Sequence, residues 1–335
     1  MSEGLRIAVI GATGAVGKDL LDALPESRLP IIEYRLIASR TNKDLEVEVD
    51  GKPVRVHLMP DDLSTSALLE GVHLIFFAAP PDVARKHAVE VADTGIATIE
   101  IGGALAGQVP LVVPSVSTRP LEAFVETRMV SSPAGPAVGL ATVLAPLVRM
   151  GAVGCQGTVM MSAGLAGKAG SEELSQQVIS LFSGGEPPRV VFPSGMAFDL
   201  NAQLGALTDG WTGVERRLAV ETGRLVHLRP ERIALTAVMV PLFVGIGLSL
   251  FVQMEPAPPL KEVEHFLSEA DTLRLGDPVP GPRRLAGRPH VFVGRLRMDP
   301  LGRGVHLWAA LDNLRAGATA NAIRIAELLW EDGQL

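Results

Sequence analysis

The chain has 335 residues, of which 47% are hydrophobic and 20% charged, and its formal net charge is −7. This length is enough for two domains with sizeable cores, and the composition is that of a globular rather than a disordered protein. The negative charge and the lack of a block rich in Lys and Arg argue against a nucleic-acid partner. The single cysteine, Cys155, excludes an internal disulfide framework and is typical of a reducing compartment.

Two segments bear on where the chain resides. The N-terminal residues lead into a strand pattern without a basic and apolar signal segment, so we expect a cytoplasmic protein. Residues 235–251 are almost wholly apolar and nearly long enough to span a bilayer. Pro241 and Gly245 interrupt this run, and it contains several β-branched residues. We therefore predict two buried strands joined at 241–245, and no membrane partner.

The first third of the chain alternates apolar strand patterns with helical ones. Strands are predicted at 6–10, 34–39, 54–59, 73–79, 97–101 and 111–113, and helices at 16–24 and 81–93. This alternation is typical of a doubly wound, Rossmann-type parallel sheet, an α/β fold. The Ser-, Pro- and Gly-rich segment 128–139 is interpreted as a loop that leads into a helix at 138–150.

Beyond residue 150 the pattern changes to longer β-rich runs. Strands are predicted at 153–163, 234–240 and 247–254, and helices at 172–182 and 213–224 would cover one face of their sheet. This favours a mixed or antiparallel sheet in a second α+β domain. We expect a first domain at 1–130, completed by a C-terminal helix within 313–332, and a second domain at 131–312.

A glycine-rich turn follows the first predicted strand. Gly11, Gly14 and Gly17 have the spacing G-x-x-G-x-x-G and lie between a strand and a helix. Glycines there allow a tight turn and close backbone approach, and the helix N-terminus offers N–H groups to a pyrophosphate. The spacing departs from G-x-G-x-x-G, so a glycine turn without a ligand is the alternative.

The end of the second strand bears on the choice of nucleotide. NAD-binding domains usually have Asp or Glu there, whereas this chain has Ser39, Arg40 and Thr41. A cation and two hydroxyls suit a 2′-phosphate, so we expect NADP; a solvated loop arginine is the alternative. The expected cofactor-binding residues are Gly11, Thr13, Gly14, Ala15, Val16, Gly17, Ser39, Arg40 and Thr41.

Several spaced motifs resemble those of the aspartate-semialdehyde dehydrogenase family over nearly the whole chain. They are GATGAVG at 11–17, PLVVP at 110–114, AGKAG at 166–170 with EEL at 172–174, FP at 192–193 with MAF at 196–198, VGRLR at 293–297, and DNLRAGA at 312–318 with NAIRIA at 321–326. The resemblance implies a nicotinamide-dependent enzyme fold and a homodimer formed through the second domain.

The resemblance also implies a catalytic thiol, a glutamine, a substrate-binding arginine and a histidine acid/base. The matching positions hold Gly135, Met161, Met239 and Ile246, and a one-residue slip would place the thiol at Ala134 instead. This pattern is similar to the Usg-type branch of the family, which lacks the catalytic cysteine.

Few other residues suggest chemistry. Ala106 lies near the place of the family's phosphate-binding arginine, and Arg217 retains a basic position. Ser131 and Ser132 adjoin the vacant position, but no base is near them in sequence. Cys155 lies within an apolar strand, where a buried inert thiol is the usual case. The histidines show no metal-site spacing.

Three hypotheses about function remain open at this stage. The first is a family member without catalytic residues, acting as a NADP-binding or scaffolding dimer with a small-molecule ligand. The second is a NADP-dependent oxidoreductase of the carbonyl-reductase type that needs no covalent thiol. The third is a regulatory subunit of an active homologue.

Overall fold

The computed structural model describes residues 4–39, 45–276, 278 and 281–335. The strands, in chain order, are β1 (Leu5–Ile10), β2 (Ile31–Ala38), β3 (Glu46–Val49), β4 (Lys52–Leu58), β5 (Leu74–Phe77), β6 (Ala97–Ile101), β7 (Met129–Ser132), β8 (Ala152–Ser162), β9 (Leu207–Thr208), β10 (Trp211–Thr212), β11 (Ile233–Val240), β12 (Ile246–Met254), β13 (Leu273–Leu275), β14 (Val291–Met298) and β15 (Gly304–Leu311). The α-helices are α1 (Ala15–Ala23), α2 (Pro81–Ala92), α3 (Phe124–Thr127), α4 (Gly135–Arg149), α5 (Gly167–Ser183), α6 (Gly213–Val226), α7 (Leu260–Ser268) and α8 (Ala320–Glu331).

The described residues form two compact units. One holds the chain up to Ala134 together with Ala318–Leu335, and the other holds Gly135–Gly317. Among the described residues, no helix combines the length and apolar character that crossing a membrane requires. Residues 235–251 instead form β11 and β12 with the link between them, as predicted.

The first unit is a parallel sheet with helices on both faces. Its strand order is β3-β4-β2-β1-β5-β6-β7, and every pairing is parallel except the β3–β4 hairpin. Side chains from α1 and α8 pack in the apolar core on one face, and side chains from α2 pack on the other. The order reverses beside β1, which is where doubly wound sheets bind ligands. The Rossmann-type prediction is confirmed.

Two local predictions for this unit were wrong. Residues 111–113 form only isolated bridges rather than a strand. The segment beginning at 128 is no loop, because Met129–Ser132 is a fully buried edge strand paired with β6. Its Ser residues suggest a loop by composition, but tertiary contacts give them partners in the interior, as described below.

The second unit contains a six-stranded mixed sheet of order β11-β8-β12-β15-β14-β13. Strands β8 and β11 run parallel, whereas β8–β12, β12–β15 and β14–β15 are antiparallel. Helices α4, α6 and α7 contact this sheet. Inward-facing side chains such as Val159, Leu248 and Ala309 are fully buried, whereas the other face carries half-exposed Phe251 and Trp308.

Helix α6 begins with a capping box, as its sequence T-x-x-E indicates. The Thr212 hydroxyl accepts the Glu215 N–H at 3.3 Å, and the Glu215 carboxylate accepts the Thr212 N–H at 2.8 Å. The second oxygen of Glu215 accepts the Ala237 N–H at 3.0 Å. One side chain therefore fixes the helix start and attaches it to the edge strand β11.

Helix α5 does not cover the sheet as predicted. It packs against the loop that follows it, in a small cluster of Leu174 with Ala163, Phe192 and Met196. The closing helix also begins later than predicted. Residues Arg315–Thr319 form a π-turn, and α8 begins at Ala320.

Candidate functional site

The glycine turn lies at the carboxyl end of β1, between β1 and α1. Gly11 has φ +86°, and a Cβ there would lie 2.3 Å from the Ala78 carbonyl oxygen. A Cβ on Gly17 would lie 2.2 Å from the Gly11 carbonyl oxygen. These two glycines are required because backbone segments approach each other too closely for a side chain.

Gly14 has a different role in the same turn. It is the exposed N-cap residue of α1, and a Cβ there would lie 3.2 Å from the Gly11 carbonyl oxygen and 4.0 Å from the Ala78 carbonyl oxygen. Because Gly14 has no side chain to cap the helix, the first N–H groups of α1, beginning at Ala15 and Val16, are available to an anion. The turn therefore has the shape and polarity that a pyrophosphate requires.

The structure also describes two other residues expected to bind the nucleotide, Thr13 and Ser39. Thr13 is half-buried within the turn. Ser39 is exposed directly after β2, the strand parallel to and beside β1, so it lies at the same carboxyl edge as the turn. Arg40 and Thr41, on which the preference for NADP depends, lie outside the described residues.

A buried polar network, not anticipated from the sequence, closes the carboxyl ends of β6 and β7. The Ser131 hydroxyl donates a very short hydrogen bond to Glu100, whose carboxylate also accepts the N–H groups of Ala104 at 3.1 Å and Leu105 at 3.4 Å. Ser131 is fully buried and Glu100 is 1% exposed. Glu100 therefore holds the turn after β6, and Ser131 is not accessible as a nucleophile.

Ser132 is likewise engaged within the first unit. The Asn321 amide donates to the Ser132 hydroxyl at 2.8 Å and to the Val112 carbonyl at 3.0 Å. Residues 321 and 132 are 189 positions apart, so only the fold reveals this contact. Ser131 and Ser132 therefore both have structural partners.

In the second unit, strand register brings together three of the positions that the resemblance matches to catalytic residues. Met161 pairs with Met239 across β8 and β11, and with Ile246 across β8 and β12. Ile246 is fully buried, and Met161 is 4% exposed. Met239 packs against the cluster that contains Phe192 and Met196. None of the three side chains can carry a charge or transfer a proton.

Gly135, the first residue of α4, has no room for a side chain. A Cβ there would lie 2.9 Å from the Asn313 carbonyl oxygen and 3.5 Å from the Gly317 Cα. A Cβ on Gly317 would in turn lie 2.9 Å from the Gly135 Cα. The Asn313 side chain accepts the Gly245 N–H at 2.6 Å, next to Ile246 in sequence. Asn313 thus lies beside both Gly135 and Gly245.

Three residues that the sequence singled out remain, namely Ala134, Ala106 and Arg217. Ala134, the other candidate for the thiol position, is half-buried and has no ionisable group. Ala106 is almost buried in the turn after β6. Arg217 is 41% exposed and pairs with the buried Glu221 at 2.5 Å. Its charge is therefore compensated by a neighbour one turn along α6.

Cys155 is the inert thiol that the sequence predicts. Burial raises its pKa to about 12, so it does not form a thiolate near neutral pH. Within the described parts of the chain, no group of three or more His, Cys, Asp or Glu side chains is placed to hold a metal ion.

Comparison with family models matches both units. Residues 6–123 match the model described as semialdehyde dehydrogenase, NAD binding domain. Residues 144–316 match the model described as semialdehyde dehydrogenase, dimerisation domain. Together the two matches cover most of the chain.

Individual proteins agree with these models. A USG-1 protein homolog of Azotobacter vinelandii is 34% identical, over 100% of both chains. Aspartate-semialdehyde dehydrogenase 2 of Vibrio cholerae is 31% identical, over 99% of both chains. The crystal structure of aspartate semialdehyde dehydrogenase II complexed with ASA from Vibrio cholerae superposes with a TM-score of 0.92, at 30% identity and 99% coverage of both chains.

Proposed function

Because this chain belongs to the semialdehyde dehydrogenase family, we propose that it is a NADP-binding, homodimeric member that does not oxidise aspartate semialdehyde. The proposal assigns nucleotide binding to residues 1–130, completed by the C-terminal helix within 313–332. It assigns dimerisation to residues 131–312.

The observation that carries the proposal is the side-by-side placement of Met161, Met239 and Ile246. Covalent aldehyde oxidation requires a thiolate, a group that takes and returns a proton, and cations for the substrate anions. The three aligned side chains supply none of these. Gly135 supplies no nucleophile, and a side chain there would collide with the Asn313 backbone.

The nucleotide assignment rests on the glycine turn that follows β1. The turn at Gly11 and Gly17 is closed by backbone contacts, and Gly14 leaves the start of α1 open to the pyrophosphate. Ser39, Arg40 and Thr41 would contact the adenosine ribose and its 2′-phosphate. Bound NADP would supply a hydride acceptor, but the matched positions hold neither the thiol nor the acid/base that would make the aldehyde a hydride donor.

The homodimer assignment is supported by the match of residues 144–316 to a dimerisation domain. The open face of the six-stranded sheet presents Phe251 and Trp308, both half-exposed, among polar neighbours such as Ser249. A face of mixed aromatic and polar side chains is typical of protein–protein interfaces.

A fluorescence titration with NADPH and with NADH tests the nucleotide part of the proposal. We expect NADPH to bind more tightly, because Arg40 can pair with the 2′-phosphate. Gly14→Val should abolish nucleotide binding, since the valine side chain would occupy the approach to the pyrophosphate. The turn should tolerate a side chain at Gly14 better than one at Gly11 or Gly17, where a Cβ would lie much closer to backbone atoms. Gly213→Val is the matched control, because nothing lies within 4 Å of a Cβ at Gly213.

Equal affinities for the two nucleotides would contradict the role given to Arg40. The absence of binding by either would contradict the nucleotide assignment and leave a scaffolding dimer. Loss of binding in both glycine variants would show that the effect of Gly14→Val is not local.

A further inference from the structure

A cleft of about 490 Å³ lies in the second unit, between helix α6 and the start of the edge strand β11. Its lining comes from the β9–β10 hairpin, one side of α6, the loop at 230–231 and the first two residues of β11. This volume falls within the range of about 300–1,000 Å³ that is usual for small-molecule sites. No residue of the glycine turn lines the cleft, and none of the positions matched to catalytic residues does. The cleft is therefore a candidate site of its own.

The hairpin that forms one wall of the cleft is held in place by the protein itself. Trp211 pairs with Thr208 across the two-residue turn Asp209–Gly210. Both turn residues have positive φ, +49° and +78°, as a type I′ hairpin turn requires. Arg216 of α6 donates to the Thr208 carbonyl at 2.6 Å and to the Asp209 carboxylate at 3.1 Å. Trp211 is thus presented without rearrangement, which lowers the cost of binding a ligand.

The walls of the cleft are mainly apolar. Trp211 is 42% exposed and Val220 is 44% exposed, although both are large apolar side chains. Buried Ile233 and half-buried Ala219 and Pro230 continue the apolar lining. A hydrocarbon or aromatic body placed here would cover the exposed apolar area, and the indole face of Trp211 can also attract a cation.

The charges of the cleft leave one carboxylate uncompensated. Four charged side chains line it, namely Asp209, Glu215, Arg216 and Glu231. Glu215 accepts two backbone N–H groups, at 2.8 and 3.0 Å, and Asp209 pairs with Arg216. Glu231 is exposed, and nothing in the described part of the chain forms a hydrogen bond or ion pair with its carboxylate. The cleft therefore offers one negative charge beside an apolar surface.

We propose that this cleft binds a small organic cation with an apolar body, such as an amine that carries an aromatic ring. The apolar body covers Trp211 and Val220, and the cationic group pairs with Glu231. An anion is disfavoured, because it would face the carboxylate of Glu231 while the guanidinium of Arg216 is already paired with Asp209. The cleft needs neither a bound nucleotide nor a second copy of the chain, since its lining belongs to the second unit of one chain.

The test measures binding of three matched probes by isothermal titration calorimetry. Phenethylamine is a cation at neutral pH, phenethyl alcohol has the same shape without the charge, and hydrocinnamate is the corresponding anion. We expect phenethylamine to bind with a dissociation constant below about 1 mM, which is within reach of a ligand of this size. The alcohol should bind at least about fivefold more weakly, and hydrocinnamate should show no saturation. Equal or tighter binding of the alcohol or of hydrocinnamate would overturn the proposal.

Glu231→Gln tests the carboxylate while it keeps the shape of the side chain. Because Glu231 is exposed, the change should leave the fold intact. We expect it to weaken phenethylamine at least about threefold and to leave the affinity for phenethyl alcohol unchanged. Glu264→Gln is the matched control, since Glu264 is an exposed carboxylate of α7 outside the cleft, and it should change neither affinity. An unchanged affinity of Glu231→Gln for phenethylamine would overturn the proposal.

Tryptophan fluorescence shows whether the probe binds in this cleft. Phenethylamine should change the emission of the wild-type chain in a saturable way. Trp211→Phe keeps an aromatic face and should still bind the probe in calorimetry, but most of the emission change should be lost, because Trp308 and Trp330 do not line the cleft. The same emission change in Trp211→Phe as in wild type, or no saturable binding by wild type, would overturn the proposal.

Discussion

At the scale of single residues, we propose that the positions matched to catalytic residues differ from those of an enzyme that has merely lost a thiol. Gly135 and Gly317 bring two backbone segments into contact at the place where a nucleophile would need space. Ile246 is fully buried between Met161 and Leu311 in the sheet, where an imidazole would need polar partners. We therefore expect that no single substitution gives the chain catalytic activity.

Gly135→Cys should not restore phosphate-dependent oxidation of aspartate semialdehyde. A thiol needs a nearby base or cation to become a thiolate, and Ile246 can neither take nor give a proton. Met239 and Ala106 leave two anion contacts unmade, which costs about 2 kcal/mol each, and the missing acid/base lowers the rate by about 10²–10⁴. Together these losses leave a rate deficit of roughly 10⁵ or more. NADPH formation followed by absorbance measures the rate.

Two further variants serve as comparisons for Gly135→Cys. Gly135→Ala carries the same Cβ without the thiol, so both changes should lower the free energy of unfolding alike, by about 1–3 kcal/mol. The quadruple variant Gly135→Cys/Met161→Gln/Met239→Arg/Ile246→His tests the alignment of the four positions. Measurable turnover in Gly135→Cys alone would show that this alignment is wrong.

At the scale of elements, one buried carboxylate, that of Glu173, holds the loop that follows α5. Burial by itself raises the pKa of Glu173, but the N–H groups of Val191, Phe192 and Val190 outweigh burial, and the pKa lies below its ordinary value. A lowered pKa means that the ionised form stabilises the folded state. This contribution is present above the unfolded pKa of about 4.3 and is lost as the pH falls through the folded value.

Glu173→Gln should therefore lower the free energy of unfolding by about 1–3 kcal/mol at pH 7, because an amide has one acceptor oxygen for three N–H donors. The difference from wild type should shrink as the pH falls below about 4. Urea denaturation at pH 7 and at a pH below about 4 measures this difference in the free energy of unfolding. Glu172→Gln is the control, since Glu172 is exposed and its pair with Lys168, at 3.3 Å, is worth less than about 0.5 kcal/mol. Equal losses in both variants would contradict the role of Glu173.

At the scale of the whole molecule, features encoded in local patterns could be predicted and those made by distant contacts could not. The strand–glycine–helix order located the turn at Gly11, and the break at Pro241 separated two strands. The segment around Ser131 was predicted to be a loop because the buried partner of Ser131, Glu100, is 31 residues away and cannot be inferred from local sequence. The role of α5 was also mistaken, since its apolar spacing shows that it packs but does not show what it packs against.

The assembled molecule should be a stable homodimer. Family dimerisation domains and the apolar surfaces of the second unit predict an interface burying more than about 2,000 Å² in total, which is the obligate range. Light scattering at micromolar concentration should give twice the mass of one chain. A monomer at that concentration would refute this prediction.

The central claim is that the family fold is retained while its covalent chemistry is lost. The most direct test incubates the wild-type chain, at tens of micromolar, with aspartate semialdehyde, phosphate and NADP, and follows NADPH formation. A catalytically active relative in the same assay confirms the reagents. We predict no NADPH above the protein-free blank. Phosphate-dependent NADPH formation by the wild-type chain would contradict the account.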